Sequence, residues 1–225
     1  TGESVAGEIE KAYGDSWIDS TGSMRAFIGQ VRAQNGIDYE NDLFVADIPL
    51  DINISSAFSG TQDHYPEPPE GIVIRRLTHG KGVTGIVRGS YDGSRIAFAA
   101  PDDKGRDQMY VISALGSDQE AVQLTRLASP VSSIRWHPSG EWVFCISDGK
   151  VFVTYAGSRP KKGKTIQLSN DRLTRDQLVV SPDGNLLAYV IPVVTRDQSG
   201  AIVKDASGND FRQIFCMKLD WDTIK

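Results

Sequence analysis

Three stretches of this chain have nearly the same form. Ser90-Tyr91-Asp92-Gly93-Ser94-Arg95-Ile96-Ala97-Phe98, His137-Pro138-Ser139-Gly140-Glu141-Trp142-Val143-Phe144-Cys145 and Ser181-Pro182-Asp183-Gly184-Asn185-Leu186-Leu187-Ala188-Tyr189 each place a tight turn ahead of a short apolar run. Gly93 and Gly140 are 47 residues apart, and Gly140 and Gly184 are 44 apart. A repeat of that length is the size of one four-stranded sheet of a β-propeller. The turn chemistry agrees. Pro182 presets φ, Asp183 can bond its own backbone two residues on, and Gly184 supplies a left-handed position. The Asp and Ser residues of these turns therefore read as turn caps rather than catalytic groups.

Each turn leads into a strand–loop–strand unit. Ile96–Ala100 is followed by Gln108–Ile112, Trp142–Ile146 by Val151–Tyr155, and Leu186–Val190 by Gln213–Leu219. Met24–Gln30 and Asp42–Ile48 make a further pair around Asn35-Gly36, a strong turn dipeptide. Arg76-Leu77-Thr78, Val122-Gln123-Leu124-Thr125 and Ile166-Gln167-Leu168-Ser169 read as outer elements with a polar cap. The fold class is thus all-β, with about four blade-like units at about 22–78, 79–125, 126–169 and 170–225. Residues 1–21 form an N-terminal extension, in which Gly7–Gly14 reads as a short helix. Four such units leave sheet faces to cover. The expectation is a larger ring, made by further N-terminal blades or by self-association.

Composition narrows the partners. The net charge is −5, and Lys161-Lys162-Gly163-Lys164 is the one basic cluster, placed in a turn. Nucleic acid is therefore excluded as the expected partner. No apolar run reaches the ~20 residues that span a bilayer. Cys145 and Cys216 both lie in apolar strand patterns and read as buried thiols. Trp136, Trp142 and Trp221 read as packing between sheets.

The search for chemistry is brief. There is no Gly-x-Ser-x-Gly elbow, His-Glu-x-x-His pair, Walker loop or Cys-x-x-Cys pair. No catalytic residue, metal ligand or cofactor is expected. Candidate binding residues come from the loops. His64 and Tyr65 lie in a proline-rich acidic insertion, Pro49 to Ile74. His79 lies in a loop between units, where it can face a central channel. Asp102, Asp103 and Arg106 form an acidic hairpin tip without the spaced carboxylates of a calcium loop. A second insertion runs from Thr195 to Asp210. Long loops on a rigid scaffold are where binding residues concentrate.

The turn-plus-strand signature, with the following Met-Tyr-Val-Ile and Gln-Leu-Thr, resembles the TolB-like, WD40-like propeller repeat. Glu8–Tyr13, Phe58-Ser59-Gly60-Thr61, Pro66–Gly71 with Arg75–Thr78, Trp136–Trp142 and Ser181–Gly184 resemble the C-terminal half of an uncharacterised bacterial family of such proteins. The resemblance implies a propeller that binds a protein or small-molecule ligand. It transfers no catalytic residues, and it points toward the periplasm, with the cytoplasm as the alternative. A second reading makes the chain the propeller part of a hydrolase or lyase. Similar propellers occur in prolyl-oligopeptidase-type peptidases and oligogalacturonate lyases.

Overall fold

The computed structural model describes residues 5–64, 66–116, 120–158 and 161–224. The chain divides into two compact units, Thr1–Arg126 and Leu127–Lys225. The first holds β1 (Ile9–Trp17), β2 (Met24–Arg32), β3 (Tyr39–Asp47) and β4 (Val73–Arg76), which form one antiparallel sheet in that order. It also holds β5 (Thr84–Gly89), β6 (Arg95–Pro101), β7 (Asp107–Ser113) and β8 (Val122–Gln123), the second such sheet. The second unit holds β9 (Val131–Trp136), β10 (Trp142–Ser147), β11 (Lys150–Tyr155) and β12 (Thr165–Gln167) as the third sheet. A fourth sheet follows from β13 (Asp176–Val180), β14 (Leu186–Val193) and β17 (Phe211–Lys218). Between β14 and β17 lies a small ribbon, β15 (Thr195–Arg196) with β16 (Ile202–Val203). A short helix, α1 (Trp221–Ile224), ends the described chain.

β1 corrects the expectation of a helix at Gly7–Gly14. Ile9, Tyr13 and Trp17 are spaced by four, which suits one face of a helix and equally one face of a strand. The tie is broken by Gly14, whose φ of +63° no right-handed helix accepts, and by pairing with β2 from Ile9↔Val31 to Trp17↔Arg25.

Counting from the turn glycine gives the packing rule. Met24, Ala26 and Ile28 stand two, four and six residues after Gly22, and they pack on Ile96, Phe98 and Ala100, which stand three, five and seven after Gly93. In the second unit, Trp142, Phe144 and Ile146 meet Leu187, Tyr189 and Ile191 in the same phase after Gly140 and Gly184. Strand alternation thus turns one apolar run into two buried faces.

The turns behave as their composition predicts. Gly93, Gly140 and Gly184 have φ of +70°, +72° and +74°. Asp183 accepts from Ser181 Oγ at 2.5 Å and from Asn185 N, while Ser181 Oγ accepts from Leu186 N at 2.9 Å. Ser90 and Asp92 repeat the arrangement. His137 Nδ1 lies 2.8 Å from Ser139 Oγ, so the imidazole replaces a hydroxyl in the third copy.

The polar caps have a structural purpose. The hydroxyls of Thr78, Thr125 and Ser169 accept the backbone N–H of Leu43, Met109 and Val151 at 2.9, 2.9 and 3.0 Å. The N–H groups of Leu77, Leu124 and Leu168 donate back to the carbonyls of the same three residues, each at 2.8 Å. Arg76, Gln123 and Gln167 then donate to the carbonyls of Thr78, Thr125 and Ser169. One three-residue device closes three sheets.

Two outcomes follow. Thr125→Val removes the acceptor for the buried Met109 N–H and is expected to cost about 1–3 kcal/mol, read as a lowered urea midpoint. Gly184→Ala is expected to cost more than Gly105→Ala in the same experiment. Both sit at positive φ, worth about 1–3 kcal/mol of strain. Only at Gly184 does the new methyl run into a side chain, the His137 ring, whereas Gly105 has open space.

Candidate functional site

The antiparallel order places the candidate residues of the first unit at opposite ends of their sheets. The β3–β4 connection, which carries His64 and Tyr65, shares an end with the β1–β2 turn. The β4–β5 connection with His79 and the β6–β7 hairpin with Asp102, Asp103 and Arg106 share the other. The structure therefore brings His79 and the acidic hairpin to one end and leaves His64 apart. Tyr65 lies outside the described residues.

At the His79 end the groups are largely engaged in structure. Asp102 accepts from the N–H groups of Lys104 and Arg106, both at 2.9 Å, and from Arg106 Nη2 at 3.0 Å. The Arg106 backbone bond leads the effects that hold its carboxyl below the usual range, with burial opposing. Asp103 and His79 are exposed. Beside them Lys81 Nζ stands 3.8 Å above the Tyr110 ring, and burial pushes its ammonium down. A feature the sequence reading missed lies beneath. Asp42 is fully buried and accepts from Arg76, Thr78 Oγ1 and the N–H groups of Gly80 and Lys81, at 2.5 to 2.9 Å. Four donors fix this carboxylate as the anchor of the His79 loop. Its only sequence signal was the likeness between Arg76-Leu77-Thr78 and Gln123-Leu124-Thr125, where Gln108 takes the Asp42 position.

The other end carries an arm, residues 48–72, built as a folded piece. Asn53 caps a 3-10 turn at Ile54–Ser56 by accepting from Ser55 N. Phe58 and Glu67 exchange backbone bonds at 3.1 and 2.9 Å, and Glu70 N donates to Ser56 Oγ at 2.9 Å. His64 sits at the tip, edge-on to Phe58 at 6.4 Å, and its carbonyl accepts from Thr61 N. Leu50 and Ile54 are 78% and 75% exposed, and Phe58 is exposed as well. Four carboxylates, Asp51, Asp63, Glu67 and Glu70, accompany them, and residues 49–72 contain no Lys or Arg.

A second feature escaped the sequence reading. The first strand of each of the four larger sheets carries a bulge with a residue at positive φ: Gly14, Gly85, Ser133 and Gln177 at +63°, +74°, +52° and +56°. Within each unit the bulges are neighbours. A side chain at Gly14 would meet the Gly85 carbonyl. Ser133 Oγ lies 3.4 Å from Asp176 Oδ1, and Arg212 donates to Asp176 Oδ2 at 2.9 Å. The glycine pair was visible in the sequence, but Ser133 and Gln177 carry no signal for such a backbone.

The insertion after β14 is spent on its own turns. Asp197 accepts from Ser199 and Ala201, Asp205 from Ser207 and Asn209, and Lys204 pairs with Asp210. Among the described residues no group of three His, Cys, Asp or Glu is placed to hold a metal ion. No described helix is long and apolar enough to cross a membrane. Cys145 is buried, and burial pushes its thiol up to about 12. Cys216 is exposed, contrary to the expectation of a second buried thiol, because it lies on the face of the fourth sheet that also leaves Val179, Leu186 and Ile214 exposed.

Comparison with known proteins agrees with this fold. No family model matches the chain. It is 33% identical over 198 residues to the uncharacterised protein YidR of Escherichia coli (strain K12), across 81% of this chain and 46% of YidR. The chain thus spans less than half the length of that relative. A putative TolB from Agrobacterium tumefaciens superposes with a TM-score of 0.55 at 13% identity, over 96% of this chain and 78% of its own. TolB from Acinetobacter baumannii gives 0.53 at 14% identity, over 85% and 42%. Oligogalacturonate lyase from Vibrio parahaemolyticus gives 0.52 at 12% identity, over 91% and 53%. The repeated sheets and these likenesses define the class of fold, a TolB-like β-propeller. By sequence the chain is similar to YidR.

The turn carboxylates predict a pH response. Ser181 and Ser90 hydroxyls hold Asp183 and Asp92 down to about 2, and the Arg175 side chain does so for Asp171. A depressed carboxyl contributes stability above its unfolded value near 3.8 that is lost as pH falls toward 2. The melting temperature is therefore expected to be flat above about pH 5 and to drop between about pH 4 and 2. Asp183→Asn is expected to lower the plateau and flatten the drop in a thermal-melt series.

Proposed function

We propose that this chain is a non-catalytic binding module of a bacterial, periplasmic TolB-like propeller. We read it as part of a larger ring, with the 48–72 arm as the surface that meets a protein partner. The observation that carries the reading is the arm itself. It is ordered by its own hydrogen bonds and yet leaves Leu50, Ile54 and Phe58 exposed. A preformed surface loses little entropy on binding, and apolar anchors ringed by polar groups are what protein interfaces use. Its carboxylates, without any Lys or Arg, favour a basic partner segment.

The test replaces residues 50–71 with an Asn-Gly turn and compares both proteins on an array of 15-residue peptides. The melting temperature is expected to change little. Peptides combining Lys or Arg with Leu, Phe or Trp are expected to lose at least tenfold in affinity. Equal binding by both proteins would remove the arm from the reading. The alternative, the propeller part of a hydrolase or lyase, draws on the fold of the Vibrio lyase. Divalent-ion binding together with cleavage of polygalacturonate would favour it.

A further inference from the structure

The bulges of the second unit differ from those of the first in one respect. In the first unit the positive-φ residues are glycines, Gly14 and Gly85, whereas in the second they are Ser133 and Gln177. In the second unit the bulge turns the following residue inward, and Ile134 and Leu178 are both buried. That backbone asks for no side chain at the bulge. Glycine reaches a φ of +52° or +56° without strain, while Ser and Gln do not. Residues kept in a strained backbone by their surroundings mark functional sites, and bulges re-aim side chains beside such sites.

An ion pair stands next to them. Asp176 Oδ1 accepts the Gln177 N–H at 2.7 Å and lies 3.4 Å from Ser133 Oγ, and Arg212 donates to Oδ2 at 2.9 Å. Asp176, Gln177 and Arg212 are exposed, and the Gln177 side-chain amide has no hydrogen-bond partner among the described residues. The backbone behind them is fixed. The buried Arg175 donates to Asp171 Oδ1 at 2.8 Å and to the Leu173 carbonyl at 3.1 Å, and its guanidinium stands over the Tyr189 ring. Its N–H donates to the Gly149 carbonyl at 3.2 Å.

We propose that Ser133, Asp176, Gln177 and Arg212 form a binding site for a neutral polyhydroxylated ligand, a saccharide. Asp176 and Arg212 offset each other's charge, so neither an anion nor a cation gains by entering. What stays open is a hydroxyl that donates and accepts, an amide that offers both functions side by side, and the spare lone pairs and N–H groups of the ion pair. The vicinal hydroxyls of a sugar donate and accept in the same way and match that set. The site belongs to the second unit and does not depend on the arm.

The test titrates the isotope-labelled chain separately with glucose, maltotriose, cellotriose, glucuronate and glucosamine, followed by NMR at the Ser133 and Gln177 backbone amides and the Gln177 side-chain amide. At least one neutral sugar is expected to give saturable shifts at these groups. Gln177→Gly and Ser133→Gly are each expected to weaken that binding about tenfold, the equilibrium factor of one hydrogen bond at the upper end of its range. Their melting temperatures are expected not to fall, because the strain relieved offsets the added freedom of glycine in the unfolded chain. No saturable shift with any neutral sugar would overturn the proposal. Glucuronate or glucosamine binding at least tenfold more tightly than the neutral sugars would overturn its ligand class. A lowered melting temperature with unchanged sugar binding in both glycine variants would assign the two side chains to structure and overturn it as well.

Discussion

Everything in this chain depends on sheets that are apolar on both faces. A strand buried on one side alternates apolar and polar residues, whereas Trp142-Val143-Phe144-Cys145-Ile146 is apolar throughout and buried throughout. Such a sheet cannot stand alone in water. Within each unit the even positions after one turn glycine meet the odd positions after the next, so each sheet needs a neighbour of opposite phase. A slip of one residue would exchange the two faces of a strand and spoil both contacts. The turn glycine sets that phase. Its positive φ is accessible to glycine at little cost, and at Gly184 the packed His137 ring also leaves no room for a methyl group.

Apolar faces do not solve the problem of edges, because an outer strand of two or three residues makes few ladder bonds. β8 is two residues long and β12 three. The Leu-Thr/Ser device compensates by continuing the ladder past the strand with one backbone bond and one hydroxyl bond. The residue before the capped position varies among Asp42, Gln108 and Lys150. The cap therefore tolerates a carboxylate, an amide or an ammonium beside it. Where a carboxylate occurs, as at Asp42, it also gathers the Gly80 and Lys81 amides and orders the loop to the next sheet.

The repeat was legible in the sequence because each of its parts has a local cause. Asp183-Gly184 bends the chain by its own bonds, and Leu186–Val190 declares by composition a strand that the structure extends to Val193. β1 was not legible because residues spaced by four suit both periodicities, and only the partner strand β2 decides between them. The exposure of Cys216 was not legible either. Cys145 and Cys216 sit in similar apolar runs, and what separates them is which neighbours cover their sheets. Asp42 as an anchor and the bulges at Ser133 and Gln177 arise from contacts between distant segments, which no local pattern encodes. Of the candidate site residues, Asp102 and Arg106 are engaged with each other at a hairpin tip, a fate their four-residue spacing already allowed.

Carboxylates are abundant here, and most of those in turns already bond the backbone. Asp92, Asp102, Asp183, Asp197 and Asp205 each accept an N–H two residues on, which is the chemistry of a turn. A group that holds its own loop is poorly placed to move a proton or grip a ligand without loosening that loop. Functional surface is better sought where the repeat is broken and side chains remain exposed. The 48–72 arm meets that condition, because its order comes from Asn53, Ser56 and the Phe58–Glu67 pair while its apolar side chains stay outside. The insertion after β14 meets only half of it, since its turns are ordered but most of its polar groups are paired with one another. That difference is the physical ground for proposing the first unit's arm as the contact surface.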